Sequence, residues 1–187
     1  MGSLKKFNDA CLKLDFLHNM FEFDTLVETG CFKGESIDHV LNYEFMKEVY
    51  SCDIESVFVT NCKNKFEKYP FVKILNLDSH SFLEHILPTL KNKSSILFWL
   101  DAHYYKDQIP EYNDIDYPLK KEIEIINKHR KNKEDVILID DVYSLIQNSK
   151  QYKHLHNIPK IGIKFLEEYQ YNIQLFNRDK GYLFLTR

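Results

Sequence analysis

The stretch TLVETGCFKG, residues 25–34, governs how the rest of the chain is read. Thr25-Leu26-Val27 is a short apolar run with the character of a buried strand. It stops at Glu28, passes two glycines, Gly30 and Gly34, and enters the helix-like IDHVLNYEF. A strand, a glycine-bearing turn and a helix start therefore follow one another. Gly30 is free to take positive φ and to let a ligand approach the backbone, and the opening turn of the next helix offers unpaired N–H groups. The spacing is G-x-x-x-G. It lacks the middle glycine of the dinucleotide fingerprint, which argues against a pyrophosphate clamp.

The alternation set by this stretch continues downstream. Glu48 to Cys52 reads as a second strand ending at Asp53, and a helix through Val57, Phe58, Cys62 and Phe66 stops near Pro70. Phe71 to Leu77 is a third strand ending at Asp78, followed by a short helix through Phe82, Leu83 and Ile86 that is interrupted at Pro88. Residues 95–100, SILFWL, form a continuous apolar run, so both faces of that strand are covered, and it ends at Asp101. Pro118 opens a helix, and Val136 to Ile139 is another buried strand, ending in Asp140-Asp141. A helix near Ile161 to Tyr169 precedes Asn172 to Phe176 and Tyr182 to Thr186, which read as a hairpin adding one antiparallel edge strand. Upstream, Ser3 caps one helix whose apolar positions run from Leu4 to Phe21, packing on the sheet or covering a ligand. The expected fold is α/β and Rossmann-like: a mostly parallel seven-stranded sheet with helices on both faces and a C-terminal antiparallel hairpin, in one domain over residues 1–187.

Composition narrows the function classes. The 187 residues are 44% hydrophobic with a net charge of -3, and no basic stripe points to nucleic acid. No apolar run reaches the length of a membrane span, and the opening residues lack a signal-peptide core, so a soluble, cytoplasmic protein is expected. Cys11, Cys31, Cys52 and Cys62 form no CxxC pair, which favours free thiols over disulfides or structural zinc.

Glu28, Asp53, Asp78, Asp101, Asp140 and Asp141 all fall at the carboxyl ends of expected strands, where open α/β sheets gather ligands. Asp53 follows Glu28 by 53 − 28 = 25 positions, the interval for an acid that holds ribose hydroxyls, and a helix cap is the other reading. Asp78-Ser79 is open in the same way, as a cap or an adenine contact. Asp101, Asp140 and Asp141, on neighbouring strands, would repel one another unless a hard divalent cation such as Mg²⁺ or Mn²⁺ neutralised them. His103, two residues beyond Asp101, suits a general base near neutrality or a metal ligand.

Taken together, ETGCFKG at 28–34, Asp53, Asp78-Ser79, LDAH at 100–103 and LIDD at 138–141 resemble the motif series of class I S-adenosylmethionine-dependent methyltransferases. The last two resemble the cation-dependent branch that includes catechol and macrocin-type sugar O-methyltransferases. The resemblance implies that Glu28, Thr29, the Gly30–Gly34 loop and Ser36 meet the methionine part of the cofactor. It likewise implies that Asp53 takes the ribose, Asp78 and Ser79 the adenine, and Asp101, Asp140 and Asp141 the metal. The catechol enzymes carry asparagine where Asp141 stands and a lysine base after the first metal acid. His103 is closer to the sugar-modifying members, so the implied acceptor is a hydroxyl of a sugar, nucleotide sugar or similar small molecule, with Asp101 and His103 at the chemistry. No nucleic-acid or membrane partner is expected, and a homo-oligomer is compatible with the sequence. The competing class is a non-catalytic domain that keeps the fold as a binding or regulatory module.

Overall fold

The computed structural model describes residues 4–102, 118–142, 166, 169–176 and 181–187. Seven strands form its sheet: β1 (Thr25–Thr29), β2 (Glu48–Asp53), β3 (Val72–Asn76), β4 (Leu97–Leu100), β5 (Val136–Ile139), β6 (Asn172–Phe176) and β7 (Tyr182–Thr186), in the order β3-β2-β1-β4-β5-β7-β6. The first five pair in parallel, and β7 runs antiparallel to both β5 and β6. The hairpin expected from sequence is present. Its antiparallel member is β7, which lies inside the sheet, and the edge is β6.

Side-chain alternation divides the core into two layers. Leu26, Val49, Leu97, Trp99, Val136 and Leu138 point to one face, under α1 (Leu4–Ala10), α2 (Leu14–Phe21), α3 (Glu35–Val40) and α4 (Ser56–Lys65). Val27, Tyr50, Cys52, Phe98, Leu100, Ile137 and Ile139 point to the other, under α5 (Ser79–Ile86), a 3₁₀ turn at Leu87–Leu90 and α6 (Pro118–Arg130). Every residue of β4 and β5 is buried, as their unbroken apolar runs require. Pro88 falls in the first turn of the 3₁₀ segment, where its missing N–H leaves nothing unpaired, and α6 likewise opens on Pro118.

The N-terminal region departs from the single helix expected. The Asn8 side-chain oxygen accepts the Leu14 N–H at 2.8 Å, which caps a second helix and breaks the chain between residues 10 and 14. α1 packs against α3 through the Leu4 N–H on Ser36 Oγ, and Phe7 meets Trp99, Phe176 and Tyr182 edge-on or tilted. Among the described residues no helix is long and apolar enough to cross a membrane, and all four cysteines are free thiols.

Candidate cofactor site at the strand ends

Register brings the expected acids to one edge of the sheet. Thr29 lies beside Cys52 and Leu100, Cys52 beside Leu75, and Leu100 beside Ile139, so the parallel strands end nearly level. Two backbone bonds extend the ladders one step further, from the Asp101 N–H to Thr29 O and from the Asp140 N–H to Leu100 O, both 3.1 Å. Asp53, Asp101 and Asp140 therefore stand one residue beyond a common row. The crossovers after β1 and β2 run over the α3/α4 face, and those after β3 and β4 run over the α5/α6 face. The helices that follow neighbouring β1 and β4 thus lie on opposite faces, which makes the carboxyl ends of this strand pair the switch point at whose crevice open α/β sheets bind ligands.

The glycine loop is held tightly against this crevice. Cys52 O accepts both the Gly30 and Cys31 N–H groups, at 3.0 and 2.8 Å. Gly30 has φ +90°, and a Cβ there would lie 2.9 Å from the backbone oxygen of Asp101, so only a residue without a side chain lets β1 and β4 approach so closely. Gly34, at φ +71°, sits 2.6 Å from Phe66 by the same measure and caps α3. Asp53 reaches back into the loop. Its Oδ2 accepts the Phe32 N–H at 2.9 Å and its Oδ1 accepts the Glu55 N–H at 3.0 Å, which fixes the carboxylate and leaves lone pairs on both oxygens. Phe32 is held at φ 41°, and Cys62 Sγ donates to its carbonyl at 3.3 Å.

The remaining expected cofactor residues are placed less openly. Glu28 is buried and accepts the Ser51 hydroxyl at 2.6 Å. Burial pushes its carboxyl up to about 8, with Asp101 adding to the shift and the Ser51 and Ser36 hydroxyls opposing it. Thr29 and Ser36 are buried, the latter beneath α1. Asp78 is the N-cap of α5, accepting the Ser81 N–H at 3.0 Å, and Ser79, in the first turn of that helix, is buried.

Asp140 and Asp141 are buried at the end of β5. Asp140 Oδ1 accepts the Asp141 N–H at 2.6 Å, and Asp141 takes φ 54°, a tight reversal in which the Val142 N–H reaches Gly181 O. Among the described residues no group of three or more His, Cys, Asp or Glu side chains is placed to hold a metal ion. Asp101, Asp140 and Asp141, the acids expected at a metal, do not form such a group within the described residues. His103 and most of the two loops expected to select an acceptor, 104–117 and 142–159, lie outside the described residues.

Two features escaped the sequence reading. Ile54 and Val57, just past Asp53, are 63% and 56% exposed, two apolar side chains at the same end of the sheet as the Phe32–Phe58 ring pair. Their signal was an isoleucine immediately after Asp53, the acid at the end of the second expected strand. On α6, Glu122 is buried and burial pushes its carboxyl up to about 7, against the pull of the Ser79 and Thr29 hydroxyls. Its signal was an acid on the stripe formed by Leu119, Ile123 and Ile126.

No protein-family model matches the chain, and no curated protein matches it. Solved structures do. A Staphylococcus aureus protein assigned as a caffeoyl-CoA O-methyltransferase superposes over 98% of this chain and 90% of its own, with TM-score 0.60 and 14% identity. An rRNA methylase from Streptococcus thermophilus covers 92% of each chain with TM-score 0.51 and 13% identity. The fibrillarin pre-rRNA processing protein of Methanococcus jannaschii covers 89% of this chain and 67% of its own, with TM-score 0.59 and 12% identity. The chain therefore has the Rossmann-like fold of the methyltransferases.

Proposed function

We propose that the crevice binds S-adenosylmethionine and that the chain transfers its methyl group to a hydroxyl oxygen of a small polar acceptor, a sugar or nucleotide sugar. The observation that carries this reading is the Gly30 loop, pressed onto the Asp101 backbone and tied to Asp53 at the switch point of the sheet. When bound, the cofactor supplies a methyl group on a sulfonium centre, open to in-line attack. The second lone pairs of the Asp53 oxygens take the ribose hydroxyls, and Ile54 and Val57 cover one face of the adenine, with Ser79 at its edge. His103, two residues beyond the end of β4, takes the proton from the acceptor hydroxyl, and holding oxygen and methyl in line supplies much of the acceleration.

An oxygen acceptor is supported by the name of the Staphylococcus aureus neighbour. Two other neighbours are named for ribosomal RNA, and the net charge of -3 weighs against RNA as the acceptor of this chain.

Calorimetry with S-adenosylhomocysteine tests the cofactor, and labelled S-adenosylmethionine with a panel of sugars, nucleotide sugars and ribosomal RNA tests the acceptor. The expected result is micromolar-order binding, about -8 kcal/mol, weakened at least tenfold by Asp53→Ala. Label should enter a small hydroxylated acceptor. No heat with the intact chain removes the cofactor reading, and label entering only RNA removes the sugar reading. Chelation by EDTA should leave cofactor binding unchanged, since none of these cofactor contacts needs a cation.

A further inference from the structure

Glu122 occupies a place in α6 where an apolar residue belongs. Leu119, Ile123 and Ile126 line the same buried stripe, yet the acid among them is only 1% exposed. A carboxyl so placed costs folding free energy unless its oxygens are bonded, and its Oε1 has no hydrogen-bond partner among the described residues. Thr29 Oγ1 is in the same condition, fully buried and without a partner among those residues. The two share one neighbourhood: Leu119, Ile123 and Ile126 of the Glu122 stripe pack with Val27, Cys52, Leu100 and Phe82, Thr29 lies on the Val27 face of β1 in register with Cys52 and Leu100, and the Ser79 and Thr29 hydroxyls and the Asp101 charge all act on the Glu122 carboxyl. Thr29 ends β1, Ser79 opens α5 and Asp101 follows β4. Glu122 therefore lies beneath the point where all three walls of the crevice meet.

We propose that Glu122 is a positioning residue of the cofactor crevice, which holds the Thr29 and Ser79 hydroxyls from below and so fixes the end of β1 against the first turn of α5. A small rotation of either side chain aligns the bond that the buried oxygens lack, and a ligand seated on the crevice walls favours that aligned arrangement. The inference rests on the S-adenosylmethionine reading given above. A purely structural role makes a different prediction: Glu122→Leu would then lose stability and leave the affinity of the folded protein unchanged, whereas replacing a buried polar group that serves the crevice and lacks a partner with an apolar one of similar size is neutral or stabilising.

The experiment compares wild type with Glu122→Leu, Glu122→Gln and Thr29→Val, reading the melting temperature and the affinity for S-adenosylhomocysteine by calorimetry. Glu122→Leu is expected to melt at or above the wild-type temperature and to bind at least tenfold more weakly. Glu122→Gln, which keeps an acceptor and a donor in place, should recover affinity to within about threefold. Thr29→Val should weaken binding at least fivefold at unchanged stability. Wild-type affinity in Glu122→Leu, or equal losses in the leucine and glutamine variants, overturns the assignment. If Glu122→Leu fails to fold, wild-type affinity in Thr29→Val overturns it instead. Absence of binding by wild type defeats the cofactor reading along with this one, whereas binding by wild type with unchanged variants defeats this one alone.

Discussion

Gly30→Ala is the sharpest single perturbation of the crevice. At φ +90° a side chain costs about 1–2 kcal/mol from backbone sterics alone. The new methyl would also lie 2.9 Å from Asp101 O, 3.2 Å from its carbonyl carbon and 3.3 Å from the Ala102 nitrogen, all backbone atoms that cannot rotate away. Relief requires the loop or the end of β4 to shift, yet Gly30 and Cys31 are bonded to Cys52 O and the Asp101 N–H is bonded to Thr29 O. Overpacking against fixed neighbours adds about 1–3 kcal/mol. The total is a loss of about 2–5 kcal/mol, read from urea unfolding at constant m-value. Because the displaced atoms form the crevice, affinity for S-adenosylhomocysteine should fall at least tenfold in the protein that remains folded. Gly34→Ala is the companion: its methyl meets the Phe66 ring, which can turn aside, so it should lose less stability. Stability within 0.5 kcal/mol of wild type for Gly30→Ala, with unchanged affinity, would refute the close approach of β1 and β4.

Two further outcomes follow from buried charges. Glu28, with its carboxyl raised from 4.5 to about 8, keeps its proton when folded at pH values where the unfolded chain has lost it, so the native state binds more protons and stability falls as pH rises from about 4.5 to about 8. The contribution is absent below that window and complete above it, on the order of several kcal/mol; unfolding at pH 5, 6.5 and 8 should show the decline, Glu28→Gln should flatten it, and an unchanged slope in that variant would count against the burial argument. Arg130 donates from Nε and one Nη to Asp135 at 2.9 and 2.6 Å and from the other Nη to the Leu90 and Lys93 carbonyls, so Arg130→Ala should lose about 3–5 kcal/mol by stranding the buried Asp135, while Arg130→Met with Asp135→Leu recovers most of it in the same urea assay.

Local chemistry explains which parts of this architecture can be read from the chain. The apolar run Val136–Ile139 became a strand with those same bounds, and the acids reached one edge because each lies within two residues of the carboxyl end of a parallel strand. Features set by distant partners were illegible. The break between α1 and α2 depends on the Asn8 side chain capping Leu14, and nothing in their heptad-like apolar spacing announces it. The insertion of β7 between β5 and β6 depends on which strand meets Ile137–Ile139, a choice made across about forty-five residues. Asp53 was legible as a strand-end acid, but the double use of its oxygens by Phe32 and Glu55 was not, because the first of those partners lies in another loop.

The buried acids also bear on why this edge of the sheet is the functional one. Away from the crevice the charged groups are closely paired: Arg130 and Asp135 share two bonds in the interior, and Lys93 pairs with Asp24 and Glu48 at partly exposed positions at the opposite ends of the strands. At the crevice the same chain accepts Glu28 and Glu122 with raised carboxyls, Thr29 Oγ1 without a partner among the described residues, and Phe32 and Asp141 at positive φ. Each is unfavourable for folding, and all lie within a few residues of the carboxyl ends of β1, β4 and β5 or on the helix beneath them. Departures from local rules concentrate where a sequence serves a purpose other than stability. Replacing a buried crevice acid that lacks a full set of bonds, as in Glu122→Leu, should therefore keep or raise stability while lowering affinity, whereas core variants such as Arg130→Ala lower stability without altering the affinity of the folded fraction.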